Sequence, residues 1–167
     1  GNPSFDAEMN GGVIEFDGDF AQTNSTSVLN RTSYTKIVIF YPNRATRNII
    51  SGNGGGVSEH AFWMRGSANK IHSGHNGNWS AVSYSPGNML KSWHYSAVTF
   101  SNTDGFELYY NGTSVVSNTT ATALSNGNGL IRIGSYGNGG AGASNYFNGY
   151  IPVVLVYNRV LNDEEIA

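Results

Sequence analysis

The stretch WHYSAVTFSNTDGFELYYNG, residues 93–112, decides the fold class of this chain. Side chains alternate between the two faces of a β-strand, so the odd-numbered residues of 93–100 share one face and the even-numbered residues share the other. Asp104-Gly105 then provides a turn signal, and Asn111-Gly112 is the dipeptide most typical of a two-residue hairpin. The stretch therefore predicts two antiparallel strands and a turn into a third.

The rest of the chain repeats this pattern. Short apolar or alternating runs are separated by Gly, Asn, Asp and Ser, a spacing typical of a β-sandwich or β-barrel. Further strands are predicted at 13–17, 34–41, 48–51, 60–65, 70–73, 80–84, 113–117, 130–134 and 146–157. Only the last six residues favour a helix, with Asn162 as its N-cap. Pro152 cannot donate a backbone hydrogen bond, so we expect it at a strand edge or a bulge.

The composition limits the possible functions. A chain of 167 residues suits one domain with one core, its charged fraction is only 12%, and its net charge is −2. It has no basic stripe typical of nucleic-acid binding and no apolar run of about 18 residues that would insert into a membrane. The absence of cysteine excludes disulfides and thiol catalysis. We expect a single domain over residues 1–167 that forms part of a longer chain.

Three groups of short motifs follow one another along the chain. They are VIEFDG at 13–18, then WHYSAVTF at 93–100 with LYYNG at 108–112, and finally LIRIG at 130–134, FNGYI at 147–151, VYNRVL at 156–161 and EEI at 164–166. In this order the motifs resemble the laminin-G-like, concanavalin A-like lectin/glucanase family. The resemblance implies an all-β fold, a two-sheet antiparallel jelly-roll sandwich, with a short C-terminal helical turn. It implies no particular ligand, because one fold hosts many functions.

The C-terminal segment carries a second resemblance. Pro152-Val153 departs from the family pattern, in which many relatives have an acidic residue. The segment IPVVLVYNR, residues 151–159, is similar to such domains in structural proteins of tailed phages. This second resemblance implies a location on a virion surface or outside the cell.

Aromatic and amide residues suggest where a ligand binds. Residues 72–79, HSGHNGNW, are interpreted as a small-residue loop that ends in Trp79, and the alternative is that Trp79 begins a strand and is buried. An exposed aromatic ring stacks on the C–H face of a sugar, while amide and imidazole groups bind its hydroxyls. The Gly-rich loop at 137–144 is a second candidate or simply a connector, and Trp63 lies either on a ligand-binding sheet face or in the core. The predicted ligand-binding residues are His75, Asn76, Asn78, Trp79, Tyr136, Asn138, Trp63 and Arg65.

Acidic residues near the N-terminus allow two further interpretations. Asp17 and Asp19 are the best available pair for a calcium ion, which prefers carboxylate and carbonyl oxygens. Glu15 and Asp17 would be the carboxyl pair of a glycoside hydrolase, since such enzymes need two carboxyl groups across the scissile bond. The simpler interpretation is the family's opening turn, with solvated acids.

Three functional hypotheses follow from these observations. The first is a non-catalytic carbohydrate-binding or adhesion module, whose partner is a glycan or surface polysaccharide. The second is a structural or capsid-decoration domain that docks onto capsid or tail proteins, with homo-oligomer formation as a further expectation. The third is a glycoside hydrolase that uses Glu15 and Asp17. Calcium is the only cofactor that the sequence suggests.

Overall fold

A computed structural model of the protein describes residues 3–6, 12–23, 29, 32–45, 48–53, 60–64, 69–75, 78–120, 130–136 and 145–167. These residues form antiparallel strands and one short helix. The elements are β1 (Ser4–Asp6), β2 (Val13–Asp17), β3 (Ala21–Gln22), β4 (Ser33–Pro42), β5 (Asn48–Asn53), β6 (His60–Met64), β7 (Ile71–His75), β8 (Asn78–Tyr84), β9 (His94–Ser101), β10 (Gly105–Tyr110), β11 (Thr113–Asn118), β12 (Leu130–Ile133), β13 (Asn148–Tyr157) and α1 (Asp163–Ile166). The short strands β1 and β3 are additions to the predicted set.

The strands are arranged in two sheets. One sheet has seven strands in the order β1-β2-β13-β4-β9-β10-β11, and the other has six in the order β3-β12-β5-β6-β7-β8. Neighbouring strands pair antiparallel, as in β4 with β9 and β6 with β7. The predicted two-sheet antiparallel sandwich is confirmed.

The core lies between the two sheets and is rich in aromatic side chains. On β4, Tyr34, Val38 and Phe40 point inward and are fully buried. On β9, Val98 and Phe100 do the same, as the alternation of residues 93–100 predicts. Large apolar side chains in this interior supply most of the stabilisation, at about 25 cal/mol per Å² of apolar surface buried.

The C-terminal segment packs on the outer face of the seven-stranded sheet. Leu161 and Ile166 are buried there against Ile37, Ala97 and Tyr109. The Asn162 side chain accepts a hydrogen bond from the Glu165 backbone N–H, and the Glu165 side chain bonds back to the Asn162 N–H. The predicted N-cap is therefore confirmed, and packing on the sheet stabilises a helix that is too short to be stable alone. No helix among the described residues is long and apolar enough to cross a membrane.

Gly149 and Pro152 both lie in β13, and Pro152 falls in a bulge. The pairing of β13 with β4 shifts register between Tyr150 and Val153, so Pro152 lies in the irregular segment, as expected. A Cβ atom on Gly149, which has φ 139°, would lie 2.0 Å from the backbone oxygen of Tyr41. Only glycine allows the two strands to approach this closely, and their approach places Tyr150 beside Tyr41.

Candidate functional site

A pocket of about 270 Å³ opens on the outer face of the six-stranded sheet. We call it the Trp pocket. Its lining consists of Asn48, Ala61, Trp63, Trp79, Tyr136 and Asn145. None of these side chains is charged, and three of the six are aromatic, so the pocket offers aromatic faces and amide groups to a ligand.

Strand alternation and register bring these residues together. On β6, Phe62 and Met64 are fully buried in the core, so Ala61 and Trp63 point to the outer face. Asn48 of β5 pairs directly with Trp63, which places the amide beside the indole ring. The partner of Ala61 on β7 is Gly74, so two small residues leave open space between the aromatic side chains.

Gly74 also determines how closely β7 and β8 approach each other. A Cβ atom on Gly74 would lie 1.9 Å from the backbone oxygen of Asn78. Since backbone atoms cannot move aside as a flexible side chain can, any larger residue would push β8 away. Glycine at this position therefore keeps Trp79, the second residue of β8, next to the pocket.

Hydrogen bonding and ring stacking hold the aromatic side chains in place. The Trp63 ring stacks on His72 with a centroid distance of 4.8 Å. The Trp63 Nε1–H donates to the Trp79 backbone oxygen at 2.9 Å. The Trp79 and Tyr136 rings meet edge to face, with centroids 6.3 Å apart. Because these contacts fix the rings before any ligand arrives, binding would order few side chains.

Two asparagines supply the polar part of the pocket. The Asn48 side-chain amide donates to the Asn145 backbone oxygen at 3.4 Å, a long hydrogen bond. The Asn48 backbone N–H donates to the same oxygen at 3.2 Å. An amide side chain has two donor hydrogens and an accepting oxygen, so Asn48 retains capacity for ligand hydroxyls. Asn48 and Ala61 were not predicted from the sequence, because their positions in the pocket follow from strand register.

The predicted ligand-binding residues have different locations in the structure. Trp63, Trp79 and Tyr136, from three separate segments of the sequence, meet in the Trp pocket. Asn78 is exposed at the start of β8 but does not line the pocket. The remaining predictions at Asn76, Asn138 and Arg65 lie outside the described residues.

The prediction that His75 faces a ligand is wrong. The segment interpreted as a loop is the hairpin of β7 and β8, in which His75 pairs with Asn78. His75 is the last residue of β7 and points into the core, where its side chain has no exposed surface. Its Nδ1 lies 2.9 Å from the Tyr34 hydroxyl, and its ring contacts Phe100 at a centroid distance of 4.4 Å.

A lysine lies in the same part of the core. Lys36 has no exposed surface, and its Nζ donates to the Ala61 backbone oxygen at 3.2 Å. No acidic side chain among the described residues forms an ion pair with it. Burial lowers the pKa of the Lys36 ammonium to about 7. The pKa of His60 is also held well below its usual value, by burial first and then by the charges of Lys36 and His75.

The acidic residues near the N-terminus lie apart from the Trp pocket. Glu15 and Asp17 are on the outer face of the seven-stranded sheet, where their cross-strand partners are Tyr150 and Asn148. The Asp17 carboxylate lies 3.5 Å from the Arg44 guanidinium and accepts a hydrogen bond from the Asn148 amide. Within the described part of the chain, no group of three or more His, Asp or Glu side chains is placed to share a metal ion. Calcium binding by Asp17 and Asp19 stays a prediction.

A Ser-His pair at the start of β9 lacks the geometry of an activated nucleophile. Ser92 Oγ lies 2.9 Å from His94 Nε2, and the same nitrogen lies 2.8 Å from the Met89 backbone oxygen. A carbonyl oxygen only accepts, so Nε2 carries the hydrogen, while Nδ1 faces the Tyr110 hydroxyl at 2.5 Å. In this tautomer His94 cannot accept a proton from Ser92.

The chain matches a known family over most of its length. The family model described as the concanavalin A-like lectin/glucanases superfamily matches residues 16–167. The chain belongs to this superfamily. No curated protein sequence matches it.

Several solved structures have folds similar to that of this chain. Domain 4 of AbnA, a GH43 extracellular arabinanase from Geobacillus stearothermophilus, in complex with arabinotriose, has a TM-score of 0.75 at 14% identity, covering 99% of this chain and 80% of that chain. The CBM40 of the Ruminococcus gnavus IT-sialidase, bound to α2,3-sialyllactose, has a TM-score of 0.66 at 15% identity and covers 83% of both chains. A heptameric SAP-like pentraxin from Limulus polyphemus has a TM-score of 0.68 at 18% identity, covering 91% and 78%.

These structural similarities agree with the fold that membership of the superfamily implies. Two of the three structures are domains with a bound oligosaccharide, and both belong to larger carbohydrate-active enzymes. The similar structures thus include carbohydrate-binding domains.

Proposed function

We propose that this domain is a non-catalytic carbohydrate-binding module and that the Trp pocket is its sugar site. The observation that carries the proposal is the convergence of Trp63, Trp79 and Tyr136 on one small pocket with two asparagines. The C–H face of a sugar ring packs on aromatic faces, and its hydroxyls exchange hydrogen bonds with amides. A pocket with an apolar lining and a few polar groups is the usual form of a small-ligand site.

The size and charge of the pocket narrow the ligand class. A volume of about 270 Å³ is slightly below the usual range for small-molecule sites, so the pocket suits one or two sugar rings. The described lining is uncharged, which favours a neutral sugar. The bound arabinotriose in domain 4 of the arabinanase is consistent with this class. A site this small gives weak binding, and multivalent display would compensate for it.

Removal of the aromatic side chains tests the proposal. We expect Trp63→Ala and Trp79→Ala each to weaken retardation by soluble polysaccharides in affinity electrophoresis at least tenfold. The panel would contain linear arabinan, soluble arabinoxylan, laminarin and dextran. Leu155→Ala is the control, because Leu155 is 43% exposed on the other sheet and lines no part of the pocket. A multimerised sample that binds neither this panel nor a glycan array, with and without calcium, would exclude the function.

The absence of catalysis is a separate part of the proposal. Glu15 and Asp17, the carboxyl pair of the hydrolase hypothesis, lie on an open sheet face away from the Trp pocket. We expect no reducing sugar to be released from the same polysaccharides. Release that disappears in Glu15→Gln would instead favour a glycoside hydrolase.

Docking onto a virion or an extracellular assembly is the second candidate function. It is favoured by the phage-like segment at 151–159 and by two exposed aliphatic side chains there or nearby, Leu155 at 43% and Val160 at 42%. Calcium binding and homo-oligomer formation are further parts of this proposal. Co-purification of the domain with capsid or tail proteins would support it, and a protein found only as a free monomer would argue against it.

A further inference from the structure

A second group of aromatic side chains lies on the opposite side of the sandwich. Tyr41 is at the end of β4 on the outer face of the seven-stranded sheet, the face that also carries Ile37 and Tyr95. Its ring centroid lies 5.2 Å from that of Trp93 and 5.8 Å from that of Tyr150. We call these three residues the aromatic row. None of them lines the Trp pocket.

Backbone features of the sheet hold the aromatic row together. Gly149 lets β13 approach β4 so closely that Tyr150 and Tyr41 become direct cross-strand partners. On the other side, the Lys91 backbone N–H donates to the Pro42 backbone oxygen at 2.8 Å. This bond ties the turn before β9 to the end of β4 and places Trp93 beside Tyr41.

Planar polar groups border the aromatic row along one side. Glu15 is the cross-strand partner of Tyr150, so its carboxylate lies on the same face. Two residue pairs further along the strands, Asp17 accepts from the Asn148 amide and pairs with Arg44. We call Glu15, Asp17, Asn148 and Arg44 the polar strip. It presents carboxylate, amide and guanidinium groups, which together accept from and donate to hydroxyls.

The chemistry of this surface indicates one class of ligand. Tyrosine and tryptophan rings lie beside carboxylate, amide and guanidinium groups, so a sugar chain can pack its C–H faces on the rings while its hydroxyls bond to the polar groups. Asp17 and Arg44 form an ion pair, and Glu15 leaves the strip with one net negative charge, which disfavours an anionic ligand. Tyr41 and Trp93 are half-buried and Tyr150 is 9% exposed, so the first two rings offer the larger contact faces.

We propose that the aromatic row and the polar strip form a second sugar-binding surface, for an extended neutral polysaccharide. This inference rests on the proposed carbohydrate-binding function and adds that the domain is bivalent. The Trp pocket takes one or two sugar rings, and the aromatic row takes a longer stretch of chain on the opposite face. One domain would then bridge two polysaccharide segments, and the two sites together would raise the apparent affinity for polymers.

The three tryptophans of the chain report on the two sites separately. Trp63 and Trp79 lie in the Trp pocket, and Trp93 lies in the aromatic row. In a titration of ¹⁵N-labelled protein, we expect linear arabinan, or whichever of the four panel polysaccharides binds, to shift all three indole N–H signals. A Trp93→Ala variant should bind that polysaccharide at least tenfold more weakly. Its affinity for arabinotriose at the Trp pocket should stay within twofold of the original.

Two further variants keep the test decisive if Trp93→Ala folds poorly. Glu15→Ala changes only a surface carboxylate and should weaken polysaccharide binding about threefold to tenfold. Leu155→Ala is the matched control, on the same face of the same sheet but away from the aromatic row, and should bind normally.

The outcomes separate this inference from the proposed function. If the polysaccharide shifts only the Trp63 and Trp79 signals, and Trp93→Ala and Glu15→Ala both bind normally, the second surface is excluded while the carbohydrate-binding function stands. If a Trp63→Ala/Trp79→Ala double variant still binds and the Trp93 signal still shifts, the second surface is supported without the Trp pocket. If no indole signal responds to any of the four polysaccharides and the glycan array is also negative with and without calcium, both proposals fail.

Discussion

The two faces of the six-stranded sheet use similar residues for opposite purposes. On the inner face, His60 and His75 from β6 and β7 pack against Tyr34 and bond to protein groups. On the outer face, Trp63 and His72 from the same two strands stack at the edge of an open pocket. The difference is one of alternation, since neighbouring residues of a strand point to opposite faces. A histidine among aromatic residues is therefore a structural group on one face and a support for a binding site on the other.

The inner face should make the stability of the fold depend on pH, which is the largest effect that we expect. The pKa of Lys36 is lowered to about 7 in the folded protein, while an unfolded lysine titrates near 10.4. Between these values the unfolded chain binds a proton that the folded protein does not, so stability rises with pH by up to about 1.4 kcal/mol per unit. Above pH 10 the effect reverses, because burial raises the pKa of Tyr34. Urea unfolding at pH 7, 8, 9 and 10 measures the slope.

Lys36→Met is the matched variant for this prediction. Methionine keeps most of the side-chain volume and removes the buried charge, and the Ala61 oxygen still accepts from the Ser73 hydroxyl at 2.8 Å. We expect the variant to be more stable at pH 7 by several kcal/mol, the equivalent of the roughly three pKa units between about 7 and 10.4, and to lose most of the slope between pH 7 and 10. A flat profile in the original protein, or a less stable variant at pH 7, would show that neighbouring groups in the core stabilise the charged form of Lys36.

The sandwich could be predicted from sequence because its signals are local. Alternation in residues 93–100, the Asn111-Gly112 turn and the Asn162 cap each depend on a few neighbouring residues, and all three are confirmed. The error at His75 has the same origin. Gly and Asn in residues 72–79 favoured a loop, and a loop interpretation assigns no residue to a face.

The candidate site was only partly predictable because it depends on contacts between distant segments. Trp63, Trp79 and Tyr136 were predicted one by one from their residue type, but nothing local indicates that they share a pocket. Asn48 joins them through its pairing with Trp63. The burial of Lys36 had one local signal, since this lysine lies inside the apolar run at 34–41. Because both faces of that strand are covered, the run does not indicate that the Lys36 side chain points into the core between the two sheets.

The two histidines of β7 allow the most direct test of the comparison. His75→Ala would leave a cavity between Phe100 and Phe106 and would remove the partner of the Tyr34 hydroxyl, so we expect a loss of about 3–4 kcal/mol. His72→Ala removes the ring beneath Trp63 on the outer side of the sheet, where His72 is 3% exposed, and should cost less, about 1–2 kcal/mol.

The effects of the two variants on ligand binding should have the opposite order to their effects on stability. His72→Ala lets the Trp63 ring move and should weaken polysaccharide binding several-fold, while His75→Ala at a temperature where it is folded should bind within twofold of the original. Thermal unfolding and affinity electrophoresis of both variants make the measurement. Equal losses of stability in the two variants would contradict the distinction between the faces.

A smaller effect should follow from loosening one aromatic ring on the outer face. Trp63→Phe keeps an aromatic ring but removes the Nε1–H that donates to the Trp79 backbone oxygen. A single hydrogen bond of this kind contributes about 1 kcal/mol. We expect a stability loss of that size and a two- to fivefold weaker affinity for the polysaccharide probe. Trp93→Phe makes the same ring replacement outside the Trp pocket, and arabinotriose should shift the Trp63 and Trp79 signals of that variant as in the original protein.

The smallest stability effect should come from Asn48, and it tests whether the outer face has hydrogen-bonding capacity to spare. The Asn48 amide makes one long bond of 3.4 Å to the Asn145 backbone oxygen, which also accepts from the Asn48 backbone N–H. Asn48→Ala leaves that backbone bond in place but removes a side chain that is 6% exposed, so the free energy of unfolding should fall by less than about 1 kcal/mol. Sugar hydroxyls would lose a donor and an acceptor, so binding should weaken fivefold to tenfold, as about 1 kcal/mol predicts. A variant that is clearly destabilised but binds normally would show that the Asn48 side chain serves the stability of the fold, as the buried polar groups of the inner face do, and does not bind the ligand.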